Sequence, residues 1–265
     1  MKRKIAICMP VEGPTETARV HLAPQLAYRK IGGISVYGEM AEVVRLDELH
    51  GTIEWAHTLH GNTDVVRARD RMARMVLWET DATDILWWDE DVLPDDLGVI
   101  ARMLESGHPV VGAPYRRKNP QETYAYRSRR EDGTPVDWLQ QSDLKESLVG
   151  IENDCVEVEG LAFGFMVTSR AALQRMWDAY HADRWYFDAM NGKRYETVSL
   201  FDLQYTPTIP GPDGMPYRVK LSEDYSFCQS WRALGGRVMM YVGQGSPVGH
   251  IGNVNFRGRP LLREE

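Results

Sequence analysis

Three cysteines, Cys8, Cys155 and Cys228, are all that 265 residues contain, and no two stand in a CxxC spacing. That scarcity argues against a disulfide framework and reads as reduced, buried thiols in a cytoplasmic compartment, host cytoplasm if the source is viral. No stretch is long and apolar enough to cross a bilayer. Met1-Lys2-Arg3-Lys4 followed by Ile5-Ala6-Ile7-Cys8-Met9 briefly mimics a signal peptide, but it meets Pro10 at once and reads as a first buried strand. Positive charge is in deficit: 31 Lys and Arg against 38 Asp and Glu leave −7, which disfavours general affinity for nucleic acid or anionic membrane unless a local basic patch overrides it. Repeats, heptad runs and low-complexity tracts are missing as well. What is present, 43% hydrophobic and 26% charged residues, is ordinary for a soluble globular enzyme, and the length suits one large domain or two small ones.

The chain is organised around Asp84-Ile85-Leu86-Trp87-Trp88-Asp89-Glu90-Asp91. Four large apolar residues without alternation need burial on both faces, as in a central parallel strand covered by helices on both sides. A side-chain period of two puts Asp89 and Asp91 on one side and Glu90 on the other. In open α/β sheets ligands gather beyond the carboxyl ends of the strands, and two carboxylates facing one way there suit Mg²⁺ or Mn²⁺. The same acids also read as a solvated loop leading to the next helix.

In order, Lys4–Met9 reads as a strand that breaks at Pro10-Val11-Glu12-Gly13-Pro14, a loop of the sort that grips a nucleotide. Thr15 caps a predicted helix over 16–31, kinked at Pro24 and stopped by Gly32-Gly33. Residues 34–51 read as an insertion or short hairpin. A strand over Ile53–Leu59 precedes a helix over Val65–Glu79 capped by Thr63 or Asp64. Further helices are predicted over 95–104, 170–180 and from Ser222 to Gly235. Further strands are predicted over 108–115, 155–158, 160–167 and 237–242. The alternation predicts an α/β doubly wound, mostly parallel sheet. Residues 116–150 read as a smaller antiparallel excursion, 183–219 as a mobile or ligand-covering loop, and 243–252 as a glycine-rich loop carrying His250.

Four groups carry chemistry. The first is the Asp89-Glu90-Asp91 run. The second is Ser222-Glu223-Asp224, either a capped helix start with acids at the positive end of its dipole or a carboxylate base that accepts a sugar hydroxyl's proton. His250 follows a strand that ends on the same edge as the acids, where an imidazole completes a metal shell. The arginines of Arg67-Ala68-Arg69-Asp70 suit a diphosphate through their bidentate fork, or form a solvated basic face with Arg71 and Arg74.

With these residues in view, the chain resembles the GT-A class of nucleotide-sugar glycosyltransferases, family 2-like, with the Rossmann-like fold of that class. "DED" at Asp89–Asp91 resembles its DxD motif. "RARD" at Arg67–Asp70 resembles the "ARN" helix of bacterial and viral members, with Asp70 for Asn. "GLAFGFMVTSR" (160–170) resembles the acceptor-side segment, "SEDYSFCQSWRALGG" (222–236) the segment with the catalytic acid, and "VGHIG" (248–252) the C-terminal metal-binding histidine. The resemblance implies one domain over 1–265, with a nucleotide-sugar half over about 1–115 and an acceptor half over about 116–265. It implies Mn²⁺ or Mg²⁺ held by Asp89, Asp91 and His250. Pro10, Val11, Glu12, Arg69, Asp70, Asp89 and Glu90 would bind the donor, a UDP-sugar or another nucleotide-diphosphate sugar. Asp224 would be the base, with inversion, and Glu223 would hold donor or acceptor sugar.

The expected activity is a hexosyl- or pentosyltransferase acting on a glycan, a protein or a hydroxymethylated DNA base of phage type. The basic stretch Arg116–Arg130, interleaved with Tyr124 and Tyr126, suits phosphate contact and base stacking. Two other classes compete: a metal-dependent nucleotidyltransferase, and a non-catalytic module that binds sugar nucleotide or glycan.

Overall fold

The computed structural model describes residues 3–11, 28–36, 39–46, 53–61, 64–89, 91–119, 123–129, 135–137, 150–190, 192–210, 214–251 and 255–256. They form a mixed α/β fold. Nine strands make the main sheet: β1 (Arg3–Val11), β2 (Tyr28–Val36), β3 (Glu39–Leu46), β4 (Ile53–Gly61), β5 (Asp84–Trp88), β6 (Val110–Gly112), β7 (Cys155–Val158), β8 (Phe165–Ser169) and β9 (Val238–Tyr241). Their order is β7-β9-β6-β8-β5-β1-β4-β3-β2. The described helices are α1 (Val65–Glu79), α2 (Gly98–Glu105), α3 (Arg170–Arg184) and α4 (Glu223–Ala233).

The mostly parallel sheet expected from the alternation of elements is not what forms. β1 runs parallel to β4 and β5, and β6 to β9, while the other neighbouring pairs are antiparallel. The reversal lies at β8, which enters between β5 and β6 against both. Its apolar run is continuous, and a strand buried on two faces carries the same pattern in either direction. The helix predicted over 16–31 is also corrected at its end. Tyr28–Val36 is a strand paired with Glu39–Leu46, and Gly32-Gly33, read as a helix stop, follow a register shift in that pair. Glu12, the loop 12–14, Thr15 and the predicted helix over 16–27 lie outside the described residues.

Two cores flank β5, and its side chains alternate between them. Ile85 and Trp87 pack with Met72, Ala73 and Val76 of α1, Leu173 and Met176 of α3, and Phe227 and Trp231 of α4. Leu86 and Trp88 pack on the other face with Val99, Ile100 and Met103 of α2. Each large side chain so buried contributes about 1.5–3 kcal/mol. The indole N–H groups find partners as well: Trp87 Nε1 donates to Thr168 Oγ1 at 3.0 Å and Trp88 Nε1 to the Val92 carbonyl at 2.8 Å.

α1 begins where expected, with Asp64 Oδ1 accepting from Arg67 N at 3.3 Å. Its last turn is closed by Arg170, the first residue of α3, whose guanidinium donates to the carbonyls of Val76, Leu77, Thr80 and Ala82. Residues 183–219, expected as an irregular loop, contain an antiparallel hairpin of Trp185–Met190 and Lys193–Val198. The excursion after 116 does contain a small antiparallel sheet, in which Tyr126–Arg129 pairs with Pro135–Asp137 and Gly160–Leu161. No described helix is long and apolar enough to cross a membrane.

Candidate active site

β5 stops at Trp88, and the chain turns at once: Val92 N donates to the Asp89 carbonyl at 3.0 Å. This turn corrects the expectation that Asp89 and Asp91 face one way, because strand periodicity ends where the strand does. The chain then pairs Val92–Leu93 with Gly249–His250, with His250 opposite Val92. That pairing, in a short strand rather than a free loop, brings the imidazole from the far end of the sequence to Asp91. His250 Nε2 lies 3.4 Å from Asp91 Oδ2. Its other ring nitrogen, Nδ1, lies 2.9 Å from the Arg116 carbonyl, which can only accept and so places the proton on Nδ1. Nε2 is the ring atom that faces Asp91, and an Nδ1–H held by a backbone carbonyl is the second partner common among metal-ligating histidines. Lys118 Nζ donates to the same Asp91 oxygen. Burial pushes the Asp91 carboxyl up, but His250 and Lys118 outweigh it and hold it at about 2.

Asp89 points elsewhere. The buried Arg69 guanidinium donates to Asp89 Oδ1 at 3.0 Å through Nη2 and to Glu223 Oε1 at 2.9 Å through Nη1. One arginine therefore ties α1, the end of β5 and the start of α4 together. Burial raises both Asp89 and Glu223, the neighbouring carboxylates add to that, and Arg69 opposes it. Sequence reasoning placed Arg69 at a diphosphate; its Nη1 and Nη2 are each engaged by a carboxylate. No local signal reveals this, since the three residues are spread over 155 positions of chain.

Asp70 is corrected more plainly. Expected at the donor, it is buried at 1% exposure and faces the Ser199–Phe201 segment. Oδ1 accepts from Leu200 N (2.8 Å) and Phe201 N (3.1 Å), and Oδ2 from Ser199 Oγ (3.0 Å) and Tyr186 Oη (3.3 Å). Arg67, whose side chain is 46% exposed, and Arg71, at 15%, both bind Asp188 in the hairpin.

A cavity of about 560 Å³ opens at this edge, lined among others by Asp91, Tyr115, Arg117, Lys118, Asp224 and His250. Asp224 Oδ1 accepts from its own helix's Tyr225 N at 2.8 Å and from Ser222 Oγ. Oδ2 has no hydrogen-bond partner among the described residues. Pro10 and Val11 close β1 beyond its Cys8↔Trp87 pair, on the same edge of the sheet. Glu12 and Glu90 lie outside the described residues. Tyr124 and Tyr126 are 0% and 1% exposed, so neither can stack on a base.

No group of three or more His, Cys, Asp or Glu side chains among the described residues is arranged to hold a metal ion. The expected trio of Asp89, Asp91 and His250 is reduced to a pair, since Asp89 turns to Arg69. That pair fits a divalent cation. Two ligands each about 2.1 Å from one ion lie about 3.0–3.4 Å apart, and Mg²⁺ commonly takes one or two protein ligands with substrate phosphates completing its shell.

No protein-family profile matches the chain, and no curated protein does. Among solved structures it is similar to one titled "Crystal Structure of A197 from STIV", at 15% identity and a TM-score of 0.47, over 94% of this chain and 86% of that one.

Proposed function

We propose that the protein is a metal-dependent glycosyltransferase of GT-A type that moves a sugar from a nucleotide-diphosphate sugar to an acceptor hydroxyl. One observation carries this reading: Asp91, His250 and Asp224, from three distant parts of the chain, line a single cavity at the sheet edge. Asp91 and His250 would hold Mn²⁺ or Mg²⁺. When bound, the ion supplies Lewis-acid stabilisation to the departing diphosphate. Asp224, fixed through Oδ1 at the start of a rigid helix, presents Oδ2 to take the proton of the acceptor hydroxyl. The acceptor oxygen forms a bond to the anomeric carbon as the bond to the diphosphate breaks, and its electron pair leaves with the diphosphate. Attack in line inverts the carbon. Arg69 acts at one remove, as the brace that keeps the segments bearing Asp91 and Asp224 in place.

The test is incubation with UDP-, GDP-, CMP- and dTDP-sugars, with and without Mn²⁺, followed by product analysis. The expected product is the freed nucleotide of one donor, dependent on metal. Asp224→Asn should lower turnover by 10²-fold or more, on the order of a lost general base, while donor binding stays within about twofold. Turnover of Asp224→Asn at the wild-type rate would remove the base assignment. Release of pyrophosphate from a nucleoside triphosphate and a sugar phosphate would make the protein a nucleotidyltransferase, and binding without turnover would make it a recognition module.

A further inference from the structure

We propose that Lys118 is a resident cation that holds the Asp91 position until a divalent ion displaces it, so that metal entry and movement of the Lys118 side chain are one event. This deepens the functional reading above and rests on it. Lys118 Nζ donates to Asp91 Oδ2, the same oxygen that His250 Nε2 faces at 3.4 Å. The ammonium thus lies against the oxygen that a divalent ion bridging Asp91 and His250 must take.

The segment carrying Lys118 is built for such an exchange. Its base is fixed, because Val248 N donates to the Pro114 carbonyl at 3.0 Å and the Arg116 carbonyl accepts from His250 Nδ1 at 2.9 Å. Arg117 N donates to the Thr123 carbonyl at 2.9 Å, and Asn119 Nδ2 to Thr123 Oγ1 at 3.0 Å. The backbone that orients the histidine is therefore held while the lysine beyond it reaches across on a flexible stem. Its side chain is 36% exposed. A single positive charge and a double one cannot both sit on one carboxylate oxygen, so the weaker, more mobile cation yields. The displaced ammonium remains at the cavity, whose lining also includes Arg117. The lysine thus keeps Asp91 from standing as an uncompensated anion near Asp89 and Asp224 before metal arrives.

Mn²⁺ binding to the donor-free protein, measured by calorimetry, tests this with wild type, Lys118→Met and Asp91→Asn. Methionine keeps the stem of the exposed side chain and removes the charge. Lys118→Met should bind Mn²⁺ about fivefold more tightly than wild type, in keeping with the worth of a partly exposed ion pair. Asp91→Asn should lose the binding. Loss in Asp91→Asn with an unchanged Kd in Lys118→Met would overturn the lysine's role and leave the metal site standing. No Mn²⁺ binding in wild type and Lys118→Met alike would overturn both. An independent readout is the ¹³C-methyl resonance of reductively methylated Lys118, which should shift on saturation with Mg²⁺; a fixed resonance overturns the exchange.

Discussion

Asp70 shows how one side chain can look functional in sequence and be structural in the fold. It sits one residue from Arg69 on α1, yet its carboxylate turns to four donors from the Tyr186–Phe201 region. Two of these are backbone N–H groups, which cannot reverse; the other two are hydroxyls, which can accept as well as donate. Asp70→Asn is therefore expected to fold with a stability change within about 1 kcal/mol. Asp70→Ala leaves two buried N–H groups unpaired and is expected to cost about 3 kcal/mol. The pH dependence separates the two states of the carboxyl. Burial raises Asp70 to about 7, against the opposing pull of the Phe201, Leu200, Ser199 and Tyr186 donors. Between about pH 4 and 7 the unfolded chain has given up this proton and the folded chain retains it. Stability from this group is thus fully present below pH 4 and falls as pH rises to 7. Asp70→Asn should flatten that decline, as read from urea midpoints across the pH range; an unchanged slope would mean that the carboxyl is ionised throughout.

At the scale of elements, helix α1 is a docking strip. Arg67, Arg71 and Arg74 recur at helical spacing on one face and all engage the 185–198 hairpin. Arg67 and Arg71 bind the buried Asp188, and Arg74 donates to the Glu196 carbonyl and stacks on Tyr195 at 4.6 Å. Along the hairpin's first strand Tyr186 and Asp188 turn inward to α1, while Trp185 and Phe187 turn outward and pack edge to face on each other. Burial pushes Asp188 up, but Arg71 and Arg67 prevail and hold it at about 2. Its contribution is therefore present above about pH 4 and lost as pH falls towards 2. Asp188→Ala should cost about 2 kcal/mol and act locally. Hydrogen exchange should rise over 185–198 while β5 and β8 keep their protection; uniform loss across the molecule would mean that the hairpin is part of the global unit. This hairpin also marks the limit of what the chain discloses on inspection. α1 and α4 were legible because the cap at Asp64, the stop at Gly235 and an apolar stripe are local signals. β5 was legible because four large apolar residues in a row have few other uses. The hairpin's inward residues are a tyrosine and an aspartate, which carry no apolar alternation, and their partners lie more than 110 positions away. The direction of β8 and the brace through Arg69 were hidden for the same reason.

At the scale of the whole molecule, the candidate site is a meeting of four segments, near residues 89–91, 115–119, 222–225 and 248–250. Motifs made the first, third and fourth visible, while 115–119 was read only as the start of a basic stretch; the strand pairing of Val92 with His250 is what brings metal-type ligands together. The same assembly bears on the acceptor. The basic run from Arg116 was the feature that suited a DNA acceptor, and several of its described residues are engaged within the protein. Lys118 is held on Asp91, Arg127 covers the Tyr225 ring at 4.8 Å, and Tyr124 and Tyr126 are core residues. The molecule as a whole carries −7, so a phosphate backbone approaching it meets repulsion before contact. Each phosphate neutralised by a protein cation contributes about −0.9 to the slope of log K against log salt. Binding to a duplex containing hydroxymethylated bases is expected to be weak, with a slope shallower than about −2, whereas transfer to a free saccharide should be nearly independent of salt from 50 to 200 mM. A slope of about −5 or steeper would require several phosphate contacts along a protein surface and would return the acceptor to DNA.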